Sequence, residues 1–177
     1  MPYRANLLEI NRVGVVGSGQ IGPDIALYFA KALHRFAVSV VVVDVAAEAL
    51  AKGRAKLEQK VAKGREGGAF SPDEAAGILA AVTFMTEYEQ LRSASLVVEA
   101  ATENLDIKRQ IFAQLETICG ATAILASNSS HIEPDEIFSR LTHRGRALVL
   151  HYFFPAERNP LVEVVAGVAT DSALADR

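Results

Sequence analysis

Tryptophan is absent from this chain, and cysteine occurs once, at position 119. A single cysteine excludes an internal disulfide and any metal site built from several thiolates. Its place after an apolar helical pattern marks Cys119 as a semi-buried helix-end residue. No apolar run approaches the ~18 residues of a membrane span. The N-terminal stretch MPYRANLLEINR has no signal-peptide core, because Glu9, Asn11 and Arg12 interrupt it. Excess positive charge is missing too. The formal net charge of −3, with Lys and Arg scattered singly, leaves no footprint for a nucleic acid. No His/Cys/Asp cluster has metal-ligand spacing, so no metal is expected, and Ser129 and Ser130 lack the G-x-S-x-G setting of a hydrolase nucleophile. A soluble, cytoplasmic protein is the expectation, with no membrane or nucleic-acid partner.

What is present is a regular alternation. Half of the residues are hydrophobic, enough for one domain of 177 residues to bury a real core. Short Val/Ile/Leu runs fall at 12–17, 38–44, 96–100, 123–127, 146–153 and 161–165. Between them lie helical patterns at 20–34, 46–63 and 105–118, and a short one near 134–138. The segment SPDEAAGILAAV adds a helix with Ser71 as N-cap, Pro72 at the first position and Glu74 three residues after the cap. Continuous apolar strands separated by helices imply parallel crossovers covered on both faces. The expected fold class is therefore α/β: a doubly wound, mostly parallel sheet of Rossmann type. Residues 1–11 read as an N-terminal extension and 12–177 as one dinucleotide-binding domain.

The stretch VGVVGSGQIGPDIA carries the first chemistry. Gly17, Gly19 and Gly22 follow a strand and open a helix, with Gln20 and Ile21 between the last two. That context lets backbone approach a pyrophosphate, while the helix N-terminus offers free N–H groups. Asp44 closes the next strand and suits the hydroxyls of an adenosine ribose. No arginine follows it to receive a 2′-phosphate, so the cofactor expected is NAD rather than NADP. The plainer alternative is a βα turn with an Asp capping the next helix.

The second half places polar residues at strand ends, where the ligand crevice of such a sheet lies. Glu99 and Glu103 follow one strand, with Lys108 on the next helix. Asn128, Ser129 and Ser130 follow another strand, and His151 ends a third with Glu163 twelve residues on. An alcohol oxidised by NAD needs a base for its proton. Histidine suits that role when a carboxylate fixes its other nitrogen. Taken singly, His151 also reads as a satisfied strand-end residue and Lys108 as an exposed helix lysine. His34 suits a helix C-terminus, His143 a basic connection, and His131 the surface beside the serine turn.

The segments GSGQIGPDIA, VVEAATENLDIK, ASNSS and HYFFPAERNPLVEVV, in this order and spacing, resemble the NAD-dependent 3-hydroxyacyl-CoA dehydrogenases, from about residue 12 to the end. The resemblance implies His151 as catalytic base, Glu163 as the group orienting it, and Ser130 as a contact to the substrate oxygen. It also implies Glu103 and Lys108 beside the nicotinamide; Asn128 is placed with them as a cofactor contact. The substrate implied is an acyl-CoA. Two departures bear on specificity: Phe154 stands where the family has Asn, and Arg158 lies in an unusual PAERNP continuation. The family's domain is followed by an all-helical domain that dimerises and covers the acyl chain. That part is expected to be absent here, leaving a chain that binds NAD but turns over substrate poorly. A dehydrogenase of a free hydroxy or sugar acid, or a non-catalytic NAD-binding module, stays open beside this reading.

Overall fold

The structure, a computed structural model, describes residues 3–5 and 8–175. A two-stranded antiparallel ribbon, β1 (Tyr3–Ala5) and β2 (Leu8–Ile10), precedes the main sheet. The valine-rich runs then form β3 (Arg12–Val16), β4 (Ser39–Val43), β5 (Val82–Met85), β6 (Leu96–Glu99), β7 (Ile124–Ser127), β8 (Ala147–Tyr152) and β9 (Val162–Ala166). They make one sheet in the order β5-β4-β3-β6-β7-β8-β9. All pairs are parallel except β8 with β9, which returns antiparallel along the edge. The chain winds outward one way from β3, then the other way from β6. The C-terminal ends of β3 and β6 therefore part at a topological switch point.

Helices cover both faces. On one side α1 (Gly22–Leu33), α2 (Ala47–Glu66) and α3 (Pro72–Ala80) pack Ile25, Phe29, Leu57 and Ile78 onto Val13, Val15, Val40 and Val42. On the other, α4 (Leu105–Ile118) and α5 (Pro134–Ile137) pack Phe112, Leu115 and Ile137 onto Val41, Val97 and Leu125. Alternate residues of one strand thus feed two separate cores, which is why the strands read as unbroken apolar runs. A last helical turn, α6 (Ser172–Ala175), follows β9.

Ser71 caps α3 with both bonds of a capping box, its hydroxyl accepting from Glu74 N and its N–H donating to the Glu74 carboxylate. The structure differs from expectation in three places. Helix α2 runs through Gly64 to Glu66, because Phe70 packs against the Gly64 backbone and the turn comes only at Gly67. Strand β4 stops at Val43, so Asp44 is the first residue of the loop that follows. Strand β5 was not foreseen: Val82 and Phe84 are buried while Thr83 and Met85 are exposed, an edge-strand alternation too short to stand out. Among the described residues, no helix is long and apolar enough to cross a membrane, and no three His, Cys, Asp or Glu side chains group to hold a metal.

Candidate active site

The glycine turn sits at the switch point. Gly17 has φ +102°, and a Cβ there would lie 2.7 Å from the carbonyl oxygen of Ala100. A Cβ on Gly22 would lie 1.9 Å from the Gly17 carbonyl oxygen, so α1 can approach β3 only with glycine at this position. At Gly19 an added Cβ meets nothing within 4 Å, so this glycine faces open space. Ile21 is the N-cap residue of α1 and gives no side-chain cap; Pro23 has no N–H and Asp24 N donates to the Ile21 carbonyl at 2.9 Å, so the amides left for an anion are those of the turn up to Gly22. The Gln20 carbonyl accepts from Lys56 of α2, which holds the turn.

Asp44 reaches back over this turn. Its Oδ2 accepts from Ser18 N at 2.7 Å and its Oδ1 from Ala46 N at 2.9 Å. Each oxygen keeps a lone pair for a further donor. Beside it opens a cavity of about 340 Å³ lined by Gly17, Asp44, Val45, Tyr88, Thr102 and Ile107. Open space at Gly19, an uncapped helix and a fixed carboxylate fit the pyrophosphate and ribose of NAD.

The second cluster lies along the ends of β6, β7 and β8. Lys108, only 1% exposed, donates to Glu99 Oε2 at 2.8 Å and to Ser127 Oγ at 3.2 Å, and lies 3.6 Å from Glu103 Oε2. The exposed-lysine reading of Lys108 is therefore corrected: this ammonium is compensated inside the protein. Glu103 accepts from the Ser129 hydroxyl at 2.8 Å and from Ser130 N at 3.2 Å, so it braces the serine turn. Desolvation alone would raise its carboxyl. The Ser129 hydrogen bond, Lys108 and the Ser130 amide outweigh that and hold it below the usual carboxylate range. Asn128 is a brace as well, its Oδ1 accepting from Tyr152 N at 2.8 Å.

His151 on β8 and Glu163 on β9 are register partners. Their spacing of twelve residues becomes direct opposition across the antiparallel pair. His151 Nδ1 lies 2.9 Å from Glu163 Oε2. With Nδ1 given to the carboxylate, Nε2 is the nitrogen left for a ligand. Ser130, His151 and Glu163 line one cleft of about 130 Å³, and His131 is exposed at the surface, as expected, and is also on the wall of that cleft.

The foreseen residues thus fall into two groups, Gly17 to Gly22 with Asp44 at the switch point, and Ser130, His151 and Glu163 in the cleft. Lys108, Glu103 and Asn128 lie between them as supports. Phe154 is 57% exposed, with Lys56 Nζ 5.6 Å from its ring centre. Arg158 is exposed and lies 3.8 Å from Glu157, a surface placement. Sequence reasoning named Glu99 but not its pairing with Lys108, and it missed Ser127. It also missed Asp24, fully buried on α1 and held by Lys56 at 3.0 Å and Lys60 at 2.8 Å.

The sheet order, the glycine turn and the acid after β4 define a dinucleotide-binding domain of the doubly wound class. Residues 12–177 match the family described as "3-hydroxyacyl-CoA dehydrogenase, NAD binding domain". The chain belongs to that family, and this is its NAD-binding domain. It is 36% identical over 169 residues to a 3-hydroxybutyryl-CoA dehydrogenase of Mycobacterium tuberculosis, covering 95% of this chain and 58% of that one. It is 32% identical over 175 residues to the 3-hydroxyadipyl-CoA dehydrogenase of Escherichia coli K12, covering 97% and 35%. Among solved structures, the E. coli 3-hydroxybutyryl-CoA dehydrogenase superposes with a TM-score of 0.90 at 32% identity, over 96% of this chain and 35% of the other. The Ralstonia eutropha (S)-3-hydroxybutyryl-CoA dehydrogenase gives 0.88 at 31% identity, over 95% and 58%. The chain therefore spans between about a third and three fifths of the length of these relatives.

Proposed function

We propose that this chain carries the cofactor site and the proton-transfer pair for interconverting a 3-hydroxyacyl-CoA and a 3-oxoacyl-CoA. The observation that carries the reading is the His151 Nδ1 to Glu163 Oε2 contact of 2.9 Å in the cleft that Ser130 also lines. Gly17 makes the turn, the amides of Gly19, Gln20, Ile21 and Gly22 hold the pyrophosphate, and Asp44 holds the adenosine ribose. Glu103, Lys108 and Asn128 shape the nicotinamide end through the serine turn they brace. NAD, when bound, supplies the hydride acceptor. In the oxidative direction His151 Nε2 takes the hydroxyl proton, Glu163 stabilises the resulting imidazolium, and Ser130 donates to the same oxygen. In the reductive direction His151 returns the proton to that oxygen.

The test follows NADH consumption by the intact gene product with acetoacetyl-CoA. His151→Gln should lower kcat by about 10²- to 10⁴-fold, the usual worth of a general base, with NADH affinity within a factor of about three. A variant as active as the parent sinks the reading.

A further inference from the structure

We propose that His131 is a positioning residue: its Nδ1–H directs the Ser130 hydroxyl hydrogen toward the substrate oxygen held between Ser130 and His151. The inference rests on the reaction proposed above and assigns it an exposed residue beside the serine turn.

His131 Nδ1 lies 3.2 Å from Ser130 Oγ, and both side chains line the cleft that holds His151 and Glu163. The neighbouring contacts leave the Ser130 hydroxyl to this partner. The Ser130 amide goes to Glu103 Oε1, the Ser129 hydroxyl goes to Glu103 Oε2, and the Ser129 oxygen accepts from Ile132 N. A serine hydroxyl has one hydrogen to give. If Nδ1 is bare, that hydrogen goes to the imidazole and a lone pair faces the cleft. If Nδ1 carries a hydrogen, Nδ1 donates to Oγ and the serine hydrogen is left for the cleft.

The substrate chemistry selects between the two. A ketone oxygen only accepts, and an alcohol whose hydrogen is committed to His151 presents only lone pairs. Both need Ser130 as donor, so the productive form is the one with Nδ1–H. Charged groups surround the ring: Glu103, ahead of α4, accepts from the Ser130 amide, with Lys108 Nζ 3.6 Å from that carboxylate. Glu133, before α5, is on the same wall, and His151 and Glu163 face it from β8 and β9.

The experiment compares His131→Ala, His131→Asn and His151→Gln in the intact gene product, measuring kcat, KM for acetoacetyl-CoA and the pH profile of reduction. Asparagine keeps an N–H near the Nδ1 position and does not titrate. The expected result for His131→Ala is a kcat about tenfold lower, the worth of one hydrogen bond, with KM for acetoacetyl-CoA unchanged. His131→Asn should restore most of kcat, because the N–H toward Ser130 is kept. If His151→Gln is inactive while His131→Ala keeps the parent's kcat and pH profile, the role of His131 is overturned and that of His151 stands. If the parent shows no turnover, or His151→Gln keeps it, the reaction itself is wrong and the inference falls with it.

Discussion

On the proposed reading a single carboxylate, Asp44, selects the dinucleotide. Asp44 is pinned by Ser18 N and Ala46 N, so it cannot swing away from an incoming 2′-phosphate. Like charges brought together in a partly desolvated crevice repel, whereas ribose hydroxyls find an acceptor. Calorimetric titration should give saturable NADH binding, with NADPH weaker by at least about tenfold. Asp44→Ser should narrow that ratio chiefly by weakening NADH. Equal affinities in the parent chain would remove Asp44 from the site. Legibility varied at this scale. Asp44 and His151 stood at strand ends, where position announces exposure to the crevice. Lys108 gave a readable signal too: with Ile111, Phe112 and Leu115 it falls on one helical stripe. Its burial still depended on Glu99 and Ser127 arriving from two other strands, which no local pattern contains.

Elements differ in how much of the fold they hold. Helix α3 is fastened by its capping box and two buried side chains, Ala75 and Ile78. Helix α4 buries Phe112 completely, edge-to-face with Phe138 at 4.8 Å between ring centres. Ser71→Ala should therefore cost about 1 kcal/mol, the loss of a cap. Phe112→Ala should cost about 3–5 kcal/mol, because the cavity is walled by a sheet that cannot collapse into it. Urea unfolding at neutral pH would rank the two, and a smaller loss at Phe112 than at Ser71 would contradict the packing described for α4. The same contrast explains which elements could be read in advance. Helix α4 and strands β3 and β6 carry dense apolar patterns whose period names them. Strand β5 is a four-residue edge strand, and its pairing with β4 is a long-range event that its own residues barely encode.

At the scale of the whole molecule, ionisable groups divide between its periphery and its cores, and pH should reach them in that order. Glu103 holds the serine turn, Glu116 accepts from Thr142 N and His143 N at 3.0 and 2.8 Å, and Glu157 ties the 153–160 loop to Lys60 of α2. In each case desolvation would raise the carboxyl, and hydrogen bonds and cations outweigh it, so all three titrate below the ordinary 4.5. A carboxyl lowered by folding adds stability that is present above its unfolded value and is lost as pH falls through the folded one. The buried groups act with the opposite sign. Desolvation raises Cys119 from 9.0, pushes Tyr88 from 10.0 to about 12, and raises Tyr152 further. Their stabilisation is complete below the unfolded values and drains away as pH rises toward the folded ones. The urea midpoint should then be level between about 4.5 and 9 and fall on both sides. The structural character of the two losses should differ. Acid releases three carboxylate ties, two of which position the serine turn and the loop after His151, so NADH binding should fail before the cores melt. Alkali charges Tyr88 in one core and Tyr152 in the other, so binding and global stability should fail together. Tracking NADH affinity beside tyrosine ultraviolet absorbance from about pH 3 to 11 separates the limbs. Acid unfolding in which affinity and core signal vanish at one midpoint would show that Glu103, Glu116 and Glu157 are not the groups that set the acid limit.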